Sequence, residues 1–212
     1  MSLFSGHASR HIFSKIAKQH NLVYFGHVDP RIDADYEMVR GLATSPHMRD
    51  ENVTIGNVDD HEVIFLQRHL KIHPRPDEVV KRKWTLLQVQ FNKADLPHIL
   101  IDNRANGSMY GAMLMSALRS PEIGWQNFTT DEKFAKAFSV HAKPQSVQEI
   151  RKILTPEIQK VLMTHFSTFD YELQSDKLII YAGGNETDPQ TLDHMLRIGL
   201  ILAKHVDQFA AE

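Results

Sequence analysis

The chain has 212 residues, 42% of them hydrophobic and 24% charged, a globular composition with enough apolar material for a substantial core. Its 24 basic and 26 acidic residues leave a formal charge of -2, which excludes the overall basic excess of a dedicated nucleic-acid binder. Cysteine is absent, and with it go thiol catalysis, cysteine-zinc sites and a disulfide framework.

Met1-Ser2-Leu3 reads as an appended leader. Ala8 to Gln19 predicts a short helix with Ile12, Phe13, Ile16 and Ala17 on one face and Arg10, Ser14, Lys15 and Lys18 on the other. From Met1 to Val28 the charged residues are all basic, as in a segment flanking a membrane helix on its cytoplasmic side. Within the chain no stretch reaches the ~18 apolar residues of such a helix, so it would have to lie upstream. Leu22 to Gly26 predicts a strand, and Val28 to Asn52 reads as mostly irregular.

From Asn52 the pattern is β. Val53 and Ile55 alternate with polar neighbours, Asp59-Asp60 turns the chain, and His61 to Leu70 returns it. His73 to Lys83, with Pro74, Pro76 and charges of both signs, reads as a solvated loop. Strands follow at Trp84 to Phe91 and His98 to Asp102, and their short connection predicts antiparallel neighbours. Trp84 beside Lys81, Arg82 and Lys83 reads as a strand edge protected by lysines rather than as a nucleic-acid or lipid-headgroup surface.

Asn106-Gly107 and Gly111 punctuate the chain before a helix predicted from Ser108 to Leu118, and Pro121 and Gly124 break it again. A short helix at Asp131 to Ala137, a strand at Phe138 to Ala142 and a helix from Ser146 to Leu154 follow. Thr155 then caps a helix with Pro156 at its first position and Glu157 in its positive first turn. Its stripe is Ile158, Val161, Leu162 and Phe166. Phe169, Tyr171 and Leu173 alternate against Asp170, Glu172 and Gln174, Ser175-Asp176 turns, and Leu178 to Ala182 completes a hairpin. Asp188 and Pro189 open the longest helix, in which Gly199 predicts close packing.

These elements define an α+β fold: an antiparallel β-rich first part, then a β-α-α-β-β-α module ending in a long helix. The division is residues 1–3 as leader, 4–120 as the β-rich part with its N-terminal helix, and 121–212 as the α/β module, or the two parts as one continuous domain.

The run Phe134-Ala-Lys-Ala-Phe138-Ser-Val140, the Leu154-Thr155-Pro156-Glu157 start and the Phe169 to Tyr181 hairpin together resemble the soluble domain of an uncharacterised family of bacterial membrane-anchored proteins. The resemblance is strongest over residues 128–210. It implies transmembrane helices upstream and a cytoplasmic soluble domain, and it supplies no catalytic residues.

Thirteen histidines outnumber the ten glycines and the nine prolines. His7 with His11, and His69 with His73, have the i, i+4 spacing of two ligands on one helix face, but no His-Glu-x-x-His accompanies them, and they read as ordinary histidines. Near pH 6.5, half-protonation would carry the charge of the domain to roughly +4, a passive response to acid. Asp29, Asp33, Asp35 and Glu37 lack the spacing and central glycine of a calcium loop.

Gly107-Ser108-x-x-Gly111 falls between a predicted strand and helix, where backbone amides cradle anions, yet it matches neither a phosphate loop nor a nucleophile elbow. With Asn103, Arg104 and Ser108 it forms the candidate ligand site. The expected function is a binding or interaction domain for an unidentified protein or small molecule, without cofactor, metal or nucleic acid. The alternative is a hydrolase or transferase with its site at the Asn103 to Gly111 turn.

Overall fold

A computed structural model of the chain describes residues 3–28, 39, 48–75, 77–92, 95–106, 128, 131–183 and 188–209. Helix α1 (Leu3–Gln19) leads into β1 (Val23–Val28), β2 (Met48–Val58), β3 (His61–Arg75), β4 (Glu78–Gln90) and β5 (Leu96–Asn103). A single 3-10 turn, Arg104–Asn106, follows β5. After it come α2 (Glu132–Ala137), β6 (Phe138–Ala142), α3 (Val147–Ile153), α4 (Pro156–His165), β7 (Asp170–Ser175), β8 (Lys177–Gly183) and α5 (Pro189–Phe209). No described helix is long and apolar enough to cross a membrane.

The strands form one antiparallel sheet in the order β1-β2-β3-β4-β8-β7-β5-β6. The fold is α+β, with strands dominating the first part and the long helix closing the chain. Because β4 pairs with β8, strands from early and late in the chain share this sheet.

Local chemistry accounts for the turns. Asp59 and Asp60 both take left-handed φ, 51° and 66°, and join β2 to β3 in the two-residue turn that right-twisted strands favour. Ser175, at φ 54°, does the same for β7 and β8. The Thr155 hydroxyl accepts from the Ile158 amide at 3.4 Å with Pro156 behind it. Asp188 accepts from the Thr191 amide at 2.8 Å and from the Thr191 hydroxyl at 2.6 Å, opening α5.

One side of the sheet carries the helices. Phe13 and Ile16 of α1, Phe134 of α2, Ile150 of α3, Leu162 of α4 and Leu196, Leu202 and Val206 of α5 join Phe65, Leu87, Val89, Ile99, Tyr171 and Ile180 in the main core. Gly199 explains how α5 lies so close: a Cβ there would stand 2.8 Å from Val89 Cγ2 and 3.2 Å from Leu87 Cδ2.

Three sequence expectations change. His73 to Arg75 and Glu78 to Lys83 are strand rather than solvated loop, so β3 and β4 form one long hairpin. Pro74 falls within the register irregularity between Ile72 and Arg75, where a missing ladder amide costs little. Second, β4 and β5 are not paired: β8, with Leu178, Ile180 and Ala182 facing the same core as Leu87 and Val89, pairs with β4 instead. Third, over Trp84–Gln90 β4 is interior, between β3 and β8; only its Glu78–Lys83 half has β3 alone as a described partner. The helix expected from Ser108 to Leu118 and the acids Asp29, Asp33, Asp35 and Glu37 lie outside the described residues.

Candidate functional site

Side chains alternate across a strand, so each residue beside a main-core position points to the second side of the sheet. That side has its own smaller cluster, including Ile64, Leu66, Leu70, Trp84, Leu86, Leu100, Ile179 and Tyr181. Val39 is its sole described member outside the strands. Charged and polar groups are interleaved with it to a degree unusual for a buried surface.

The first group joins β2 and β3. Arg68 Nε donates to Asp50 Oδ1 at 2.8 Å and Arg68 Nη2 donates to Asp50 Oδ2 at 2.7 Å, a fork-to-fork pair with no exposed side-chain surface on either partner. Trp84 stands opposite Arg68 in register and meets the Tyr181 ring edge to face, with centroids 6.2 Å apart.

The second group joins β8, β7 and β5. The Tyr181 hydroxyl donates to Glu172 Oε2, and Glu172 Oε1 pairs with His98 Nε2 at 2.6 Å. Glu172 is buried, while the His98 side chain keeps 24% of its exposure. A carboxylate thus links a sunken phenol to an imidazole at the rim, an arrangement that can hold or pass a proton.

The third group stands where β5 meets β6. His141 is paired in register with Leu100, and Asp102 with Ser139. Burial raises the Asp102 carboxyl to about 6, against the pull of Arg104. Burial also lowers His141 to about 4, and the Arg104 charge acts in the same direction. Arg104 therefore lies close enough to influence both groups. On β4, between the first and second groups, the buried Gln88 Oε1 has no hydrogen-bond partner among the described residues.

Of the residues singled out in the sequence, Asn103 is buried and serves the local backbone. Its amide nitrogen donates to Asp170 Oδ1 at 2.5 Å, its side-chain Nδ2 donates to the Ser167 carbonyl, and its Oδ1 accepts from the Ala105 amide at 2.9 Å. Arg104 is exposed on the 3-10 turn. Ser108 lies outside the described residues, so the three are not seen together. His69 sits on strand β3, with Nε2 paired to Glu51 at 3.0 Å, and His11 is an exposed residue of α1. Among the described residues no group of three or more His, Asp or Glu is placed to hold a metal.

Arg68, Asp50, Glu172 and His98 were not singled out, because charge within an alternating strand is the ordinary mark of its wet side. One signal was available. Gln67-Arg68-His69 interrupts the apolar run of β3 in mid-strand, where a two-sided sheet would be dry.

The architecture defines a class, an α+β domain in which the described helices cover one side of a single antiparallel sheet, while in this chain the other side buries charged and polar groups among apolar ones. A solved structure is similar in fold over nearly its whole length: the crystal structure of the mycobacterial trehalose monomycolate transport factor A, TtfA. The TM-score is 0.62 at 11% identity, covering 94% of this chain and 93% of that one. At that identity the likeness is one of fold. Comparisons with protein-family models and with curated proteins each return no match.

Proposed function

We propose that this chain is a binding domain without catalytic activity, belonging to a bacterial membrane-anchored protein and working on the cytoplasmic side of the membrane. The observation that carries the reading is the end-to-end match to TtfA, a transport factor by name, over 94% of the chain. The acid-free basic α1, Arg10, Lys15 and Lys18, agrees with a position just inside a membrane. In this reading the buried charges are structural: Arg68, Asp50, Glu172 and Tyr181 are satisfied by one another and keep the sheet in one register.

The test is fractionation of the native-length protein from bacterial cells. It should remain in the membrane pellet after an alkaline wash, with this domain open to protease only once the inner membrane is permeabilised. Recovery in the supernatant before the wash would refute the anchor.

One observation favours the alternative hydrolase or transferase: a carboxyl held at about 6, at Asp102, with the charge of Arg104 beside it, is poised for proton transfer near neutrality. Asp102→Asn decides between the two. It leaves partner capture intact for a binding domain and abolishes turnover for an enzyme.

A further inference from the structure

The register of the long β3–β4 hairpin has a consequence for the outer surface. Lys71 and Lys81 are directly opposite each other, and the next pair along the same side is His69 with Lys83. Arg49 stands opposite His69 from β2, which extends the row across three strands. Two-residue alternation from Phe65 and Leu87 places all of these on the helix-bearing side of the sheet. There the chain has left the core: Lys71, Lys81 and Arg49 are exposed, and Lys83 and His69 are half-buried.

This row is under-neutralised. Among the described residues Glu51 is its acid, and that carboxylate is engaged by Arg49 Nη2 and by His69 Nε2. Like charges directly opposite in an antiparallel ladder repel, and burial lowers Lys83 below its ordinary value, so the fold carries a local electrostatic cost. In the same file as Lys81 and Lys83, Val79 keeps 53% of its surface exposed. Helix α1 lies on this side of the sheet as well, and its exposed charges, Arg10, Lys15 and Lys18, are all basic.

We infer that the outer end of the β3–β4 hairpin is a docking surface for an anionic bilayer, with Arg49, Lys71, Lys81 and Lys83 meeting lipid phosphates and Val79 entering the interfacial layer. Charge complementarity selects the occupant, because an anionic leaflet relieves the Lys71–Lys81 repulsion and rewards each basic residue near it. The exposed valine distinguishes a bilayer from a nucleic acid, whose phosphate backbone offers nothing apolar at that depth. This inference extends the membrane reading above from an upstream anchor to the face of the domain itself.

The experiment is co-sedimentation of the chain with vesicles of phosphatidylglycerol and phosphatidylcholine, beside vesicles of phosphatidylcholine alone. Binding is expected only to the anionic vesicles and should weaken as salt is raised. The pair Lys71→Gln and Lys81→Gln should lower the partition coefficient roughly thirtyfold, at about fivefold per basic residue. These changes remove a repulsion, so the variant should melt no lower than the parent, which separates lost docking from lost folding. Absence of binding, equal binding to both vesicles, an unaffected variant, or tighter binding to a DNA duplex would each overturn the assignment. Fractionation of native protein tests the anchor and the vesicles test this surface, so either can fail alone.

Discussion

Arg68 and Asp50 are register partners on β3 and β2, and their forked ion pair is sealed from solvent, with Trp84 of β4 opposite Arg68 on the other flank. Removing one partner takes the matching opposite charge away from a buried group, which costs about 3–5 kcal/mol. Arg68→Ala and Asp50→Ala should each lower unfolding free energy by that order in urea. Replacing both with apolar residues, Arg68→Met with Asp50→Leu, should recover most of it. A single substitution costing less than about 1 kcal/mol would show that water reaches the pair.

His141 and Asp102 should have opposite effects on stability versus pH. His141 is lowered to about 4 in the fold from an ordinary 6.5, so its neutral form contributes stability that is complete above 6.5 and lost as pH falls toward 4. Asp102 is raised to about 6 from 3.8, so its protonated form contributes stability that is complete below 3.8 and lost as pH rises through 6. Between about 4 and 6 the two slopes offset each other. His141→Asn should uncover a stability that falls as pH rises across that window, and Asp102→Asn one that rises. Thermal melts at four or five pH values would decide; parallel curves for parent and variants would refute both assignments.

Gly199→Ala tests the approach of α5 to β4. Alanine gains about 1 kcal/mol of helix propensity, but its Cβ would meet Val89 Cγ2 at 2.8 Å, and valine is stiff. Overpacking costs about 1–3 kcal/mol, so the melting temperature should fall. Gly199→Ala with Val89→Ala should recover part of the loss by relieving the collision.

Asp188→Ala and Thr155→Ala compare two helix caps. Asp188 makes two short bonds to Thr191, and the bond from the Thr191 hydroxyl does most to hold its carboxyl below the ordinary value; Thr155 makes one bond at 3.4 Å. The Asp188 change should cost about 1–2 kcal/mol and the Thr155 change about 0.5–1 kcal/mol. Chemical denaturation of the two variants gives the order, and a larger loss at Thr155 would contradict the geometry.

What was legible in the sequence was what is decided within a few residues. Thr155-Pro156, Asp188-Pro189, Asp59-Asp60 and Ser175-Asp176 each specify a cap or a turn by their own chemistry, and the α+β class follows from the elements they bound. The pairing of β4 with β8 was not legible, since no local rule tells Leu86 that it will face Tyr181. The buried polar side was hidden for a related reason. Asp170, Glu172 and Arg68 look like the wet half of an alternating strand, and only partners from distant strands make their burial affordable. The proline-marked segment from His73 to Lys83 misled in the opposite direction, because an irregular register within a long hairpin tolerates what an even ladder would reject.

The place of β8 bears on how the chain is made. During synthesis β1 to β4 emerge first and can form a meander, but β4 then presents its open side with Leu86, Leu87 and Val89 along it. The strand that fills that side is among the last elements to leave the ribosome. Until β8 arrives, the nascent meander has a sheet edge open to any extended chain nearby, so the interval between translation of Gln90 and of Gly183 is when β4 is most exposed to mispairing.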